Sequence, residues 1–196
     1  FLAGAFIALG ALFATVVSAG GTGSVPYGVV RLLAGVVFSL GLILVVVGGA
    51  ELFTGNNLLI MAWASRRIST RQPLLNWGFV YVGNFVGAVA TAAIVFLSGQ
   101  YMFGDGVVGA TALAIARGKL QLGFLPCICL GMLCNVLVCL AVWLTYSARS
   151  TADRILAVVP PIAAFFAAGF EHSIANMYSL PVAIFIRDGA PPAFWT

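Results

Sequence analysis

Two polar clusters interrupt an otherwise apolar chain, and both carry groups that can hold or pass a proton. "GFEHSIANM", residues 169–177, contains His172, the only histidine, beside Glu171, with Asn176 five positions further on. "GAELFTGN", residues 49–56, contains the other glutamate, Glu51, together with Thr54 and Asn56. Imidazole is the side chain whose unperturbed pKa, about 6.5, lies nearest physiological pH, so His172 can lend a proton or attract a negative charge. Thr54 offers a hydroxyl to the same centre, and the two carboxylates are natural acceptors for backbone amides freed at a helix break. Both stretches read Gly-x-Glu-x-x-x-x-Asn, 120 positions apart.

The surroundings decide what kind of centre this is. Hydrophobic residues make up 62% of the 196 and charged residues 7%, where a soluble domain carries about 25% charged. So little polar surface cannot cover a water-exposed fold, which makes this an integral membrane protein. The net charge of +4 comes from nine basic residues against five acids. These are too few and too scattered for a nucleic-acid surface and read as membrane topology instead. Cys127, Cys129, Cys134 and Cys139 fall in one apolar stretch without the spacing of a zinc site, so they read as buried, inert thiols. In a membrane an ionisable residue is functional by default, which separates His172 from an ordinary core histidine.

The apolar segments that must position these clusters are uneven. Residues 1–18 form one span, too long an apolar run and too poor in basic residues for a signal peptide. A turn, "SAGGTGSVPYG", comes next. Residues 29–64 would measure about 54 Å as one helix, too long for one span of the ~30 Å core and too short for two. The economical solution is one discontinuous helix, broken at "AELFTGNN". Residues 76–98 form an ordinary span with Gly83 and Gly87 spaced for close helix packing. A polar, Gly-rich loop is expected at 99–118 and a span at 120–147. Residues 155–186 are again too long for one span, are broken at "GFEHSIAN" and are punctuated by Pro160, Pro161 and Pro181.

Matched interruptions in two halves mark an inverted-repeat channel or transporter with its site at the bilayer midplane. The expected fold is all-α, a single transmembrane domain over 1–196, with a first repeat at 1–98 and an incomplete second repeat at 120–196. The third span of the first repeat would map to 196–218, so a sixth span is expected beyond the five present. Arg66, Arg67, Arg71, Arg149 and Arg154 are expected on one side, Arg31, Arg117, Lys119 and Arg187 on the other. The three-arginine loop at 65–72 is the best cytoplasmic marker. Trp63, Trp77, Trp143 and Trp195 fit interfacial belts without a part in the chemistry.

"AELFTGN", "NWGFVYVGN", "LCNVLVCLAVW" and "GFEHSIANM", in this order, resemble the formate/nitrite transporter family over the whole chain. The resemblance implies an aquaporin-like inverted repeat with broken second and fifth helices. It also implies a homopentamer with one pore per protomer, in a prokaryotic plasma membrane, without enzymatic activity, cofactor or metal. Residue by residue, it places His172 at the pore centre and Thr54 within reach of it or of a passing anion. Phe38, Leu42 and Phe165 become apolar constrictions, with Leu52 and Phe53 on the loop of the second break. Lys119 and Asn135 would attract and hold the anion, and Glu171 and Asn176 would support the fifth break. For Glu51 and Glu171 a structural role outweighs proton carriage, Thr54 divides between loop cap and pore donor, and Lys119 has an alternative as an interfacial anchor.

The physics of a weak-acid anion fits this arrangement. A dry slit cannot cheaply take an ionised carboxylate, because stripping its water costs several kcal/mol; taking a proton from a central histidine is another route. A haem-bearing subunit is excluded because one histidine cannot supply two axial ligands. A water or glycerol channel shares the implied fold, but the breaks lack the Asn-Pro-Ala pair and such pores need no titratable centre. Formate, nitrite, hydrosulfide and lactate stay open as substrates, with the pattern most like the formate members, and passage is either passive or proton-linked.

Overall fold

The computed structural model describes residues 1–21 and 25–195; part of the expected turn, Thr22 to Ser24, lies outside the described residues. These residues build helices and no strand. In order they are α1 (Leu2–Ser18), α2 (Tyr27–Gly48), α3 (Phe53–Asn56), α4 (Leu59–Ala64), α5 (Arg71–Leu97), α6 (Val107–Leu120), α7 (Phe124–Thr145), α8 (Thr151–Ala167) and α9 (Ser173–Gly189). Three of them, α2, α5 and α7, are long and apolar enough to cross a membrane, while α1 is apolar but shorter. The core is built of small and branched apolar residues: α2 packs between α1 and α8, and α5 packs on both α1 and α9. Gly87 is one place where only glycine fits, because a Cβ there would collide with the carbonyl of Phe1.

The two interrupted segments break where expected but not with the expected proportions. The first piece of the second segment, α2, has 22 residues and could cross on its own, and beyond the break lie only a four-residue turn and a six-residue helix. A single turn carries little helix dipole, so of the two breaks only the one before the 17-residue α9 presents a full helix N-terminus. Pro160 and Pro161 sit inside α8 and Pro181 inside α9, without ending either helix. The expected loop at 99–118 is largely helix. In α6, buried Val108, Gly109, Ala112 and Ala116 fall on one face at helical spacing, and α6 packs on α9.

The breaks match in detail. Gly49 after α2 and Gly169 after α8 both take the left-handed conformation, with φ of 70° and 77°, the conformation in which glycine carries no Cβ penalty. Leu52 and His172, each the residue before the next helix, have φ of −107° and −106°. Asn56 donates its side-chain amide to Glu51, and Asn176 donates to Glu171. Ser39 and Val159 also stand 120 apart, and they meet where α2 crosses α8, with Ser39 Oγ 3.5 Å from the Val159 carbonyl. The glutamates therefore accept from the side-chain amide five residues on, not from the freed backbone amides expected of them.

Candidate functional site

Each break presents its polar residues because the chain there is not yet helical and its first amides need partners. His172 meets that need at α9: its Nδ1 accepts from the Ala175 amide at 3.1 Å. A ring nitrogen that accepts carries no proton, so the neutral ring bears its hydrogen on Nε2. That atom lies 3.4 Å from Thr54 Oγ1. Both side chains are buried, His172 with 3% and Thr54 with 5% of its surface exposed, and they come from opposite breaks. The structure thus brings together one donor fixed by the cap and one hydroxyl free to donate or accept.

Apolar rings back this centre. Phe165 lies nearly parallel to the imidazole with centroids 5.7 Å apart, and Phe38 stands edge-on to Phe165 at 5.6 Å. Leu42 and Leu52 are as deeply buried as these rings. Phe53, half-buried, rests on Tyr81 at 5.0 Å.

Two cavities approach from the other side. One, about 660 Å³, is lined by Glu51, Leu52, Asn56, Tyr146 and Arg154 among others. The other, about 800 Å³, is lined by Thr54, Asn135, Glu171, His172 and Asn176 together with apolar α7 residues. The segment at α3 faces both. Asn135 donates weakly to Cys139 Sγ at 3.7 Å, and its carbonyl oxygen has no partner among the described residues. Cys139 in turn reaches the Thr54 carbonyl at 3.5 Å, so this thiol takes part in holding the second break. No group of metal-ligating side chains occurs among the described residues.

Lys119 is not a free cation. Its ammonium donates to both oxygens of Glu171 at 3.1 and 2.8 Å, and the Asn176 amide donates to the same carboxylate at 2.9 Å. The last turn of α6 is thereby fastened to the start of α9.

Sequence reasoning missed Asn84. It is fully buried in α5, accepts from the Phe53 amide and donates to the Glu51 carbonyl, both at 3.0 Å. The signal was available, because a lone amide inside a span is costly unless paired. Trp77, read as a belt residue, donates Nε1 to the Asn56 carbonyl at 3.0 Å.

The family model described as "Formate/nitrite transporter" matches residues 1–195. The chain is 48% identical to "Formate channel FocA" of Escherichia coli strain K12, over 99% of this chain and 68% of that protein. It is 43% identical to "Formate channel FocA" of Haemophilus influenzae, over 98% of this chain and 68% of that protein. Among solved structures it resembles one titled "Pentameric formate channel with formate bound", with a TM-score of 0.94 and 46% identity over 99% of this chain and 76% of the other. A second, titled "FNT family ion channel", aligns with a TM-score of 0.82 and 31% identity over 99% of this chain and 74% of the other.

Proposed function

The chain belongs to the formate/nitrite transporter family, and from that premise we propose that it passes formate across the membrane through a pore in each protomer of a pentamer, with His172 at the centre. The observation that carries this reading is the pairing of His172 Nε2 with Thr54 Oγ1 beneath two phenyl rings. Formate and the pentamer are brought in by the likeness to a formate-bound pentameric channel.

The proposed passage gives each residue a part. A formate ion reaching the second cavity loses water, which costs several kcal/mol unless donors replace it. The His172 Nε2–H and the Thr54 hydroxyl are two such donors at one point. Asn135 and Asn176, both lining the cavity, add side-chain amides at its wall. Because Lys119 is bonded to Glu171, its charge is largely spent on the fifth break, and Lys119 acts by holding His172 in place more than by drawing in the anion. Phe38, Leu42 and Phe165 form the apolar constriction that hydrated ions cannot cross, and Leu52 with Phe53 forms the second.

Proton linkage rests on the same ring. For Nε2 to give its proton to formate without leaving an imidazolate, the ring must first take a proton from solvent at Nδ1, and a protonated Nδ1 can no longer accept from Ala175. Proton passage is therefore coupled to loosening of the α9 cap.

The test is a flux panel in proteoliposomes with internal pH recorded. Formate should move far faster than across protein-free vesicles, and faster than glycerol through the same protein. Equal rates with and without protein would remove the proposal, and glycerol outrunning formate would transfer it to a neutral-solute channel.

Thr54 gives a sharper check of the centre. Thr54→Val keeps the shape and removes the hydroxyl, whose described side-chain partner is His172. The variant should assemble normally and carry formate more slowly, by up to about tenfold for one lost hydrogen bond. Wild-type flux in the valine variant would return the hydroxyl to a purely structural role.

A further inference from the structure

The segment between α2 and α4 is too short to hold itself. Its only helix, α3, has four residues, and an isolated turn is unstable in any surroundings. Yet this segment separates the two cavities: Leu52 lines the first, while Phe53 and Thr54 line the second. Something outside the segment must fix it, and one face of α5 does so. Asn84 bonds the backbone on both sides of Leu52, at the Glu51 carbonyl and the Phe53 amide. Tyr81, one turn earlier, meets Phe53 edge to face. Trp77, a further turn earlier, bonds the Asn56 carbonyl, and Asn76 accepts from the Asn56 side chain. These residues recur at helical spacing, so a single stripe of α5 grips the whole segment.

We propose that Asn84 is the positioning residue that fixes Leu52 across the passage between the two cavities, with Trp77 securing the far end of the same segment. One buried amide satisfies the Glu51 carbonyl and the Phe53 amide at once, so it ties down the backbone on both sides of Leu52. Loss of the amide leaves both backbone groups without these partners, and the segment can then shift to seek water. The width of the passage, and hence its discrimination by size, depends on Asn84 although Asn84 lines neither cavity.

The inference rests on the proposed passage of formate, and its test separates the two. Efflux of formate and of propionate is measured from the same proteoliposomes for wild type, Asn84→Leu and Trp77→Phe. A smaller amount of folded protein lowers both fluxes alike and leaves their ratio unchanged, whereas a displaced Leu52 raises propionate relative to formate. The propionate-to-formate ratio should rise about tenfold in Asn84→Leu and roughly threefold in Trp77→Phe, in step with the number of hydrogen bonds removed. Should Asn84→Leu fail to assemble, Trp77→Phe, which keeps an aromatic ring at that position, carries the test. A ratio unchanged from wild type in the variants that assemble overturns the assignment. Amide exchange of residues 51–56 supplies a readout independent of transport: it should quicken in the variants while α5 and α9 stay protected. Unchanged exchange likewise overturns the assignment, even if wild type carries no formate and the functional proposal has failed.

Discussion

His172→Asn should assemble as wild type does, whereas His172→Phe should be less stable by about 1 kcal/mol, the ordinary worth of a helix N-cap. The distinction comes from the two jobs that the imidazole performs. Nδ1 caps α9 through the Ala175 amide, and Nε2 faces Thr54. Asparagine is a strong N-cap residue and keeps an acceptor at that position. Phenylalanine has the bulk to stay against Phe165 and Phe38 but leaves the Ala175 amide without its cap. Thermal unfolding of the two purified variants decides the point. Equal loss of stability in both would mean that the cap contributes nothing measurable and that the ring acts there by packing alone.

Lys119→Met should have the largest effect on stability of any single change at the fifth break. It strips Glu171 of its cation while leaving the carboxylate in place, with the Asn176 amide as its remaining side-chain partner among the described residues. Breaking a fully buried pair costs about 3–5 kcal/mol. Here the side chains retain 19% and 11% of their exposure, which trims the expected loss to roughly 2–3 kcal/mol. The double variant Lys119→Met with Glu171→Gln removes both charges and should recover most of that loss, because a neutral amide can still accept from Asn176. Detergent-resistant assembly and melting temperature, compared across the single and double variants, measure the coupling. A double variant no more stable than Lys119→Met alone would show that the ion pair is incidental.

Much of this arrangement could be read from the sequence, and the parts that could not have physical reasons. The breaks were legible because an acid in a long apolar segment cannot belong to an uninterrupted lipid-facing helix, and Gly49 and Gly169 provide the left-handed exits in the structure. The matched Gly-x-Glu-x-x-x-x-Asn motifs carry the same Glu–Asn bond twice. The partner of Lys119 was not legible, since spacing along the chain does not reveal that the end of α6 meets the start of α9 52 residues later. Helix α6 was hidden by its glycines and polar ends; its signal was the run of small residues Gly109, Ala112 and Ala116, all buried on one face. Asn84 escaped because one amide in an apolar span does not disturb its hydropathy, although its burial cost implies a partner.

At the centre of the proposed function, formate passes a histidine that gives and takes a proton where the two breaks meet. The most direct test is formate flux in proteoliposomes between about pH 5 and 8, with wild type beside His172→Asn, the variant that keeps the α9 cap. The wild-type rate should vary with pH across this range, and the asparagine variant should give a flat profile with the import of the acid form most impaired. Two superimposable pH profiles would contradict the proton exchange and leave His172 as a capping residue alone.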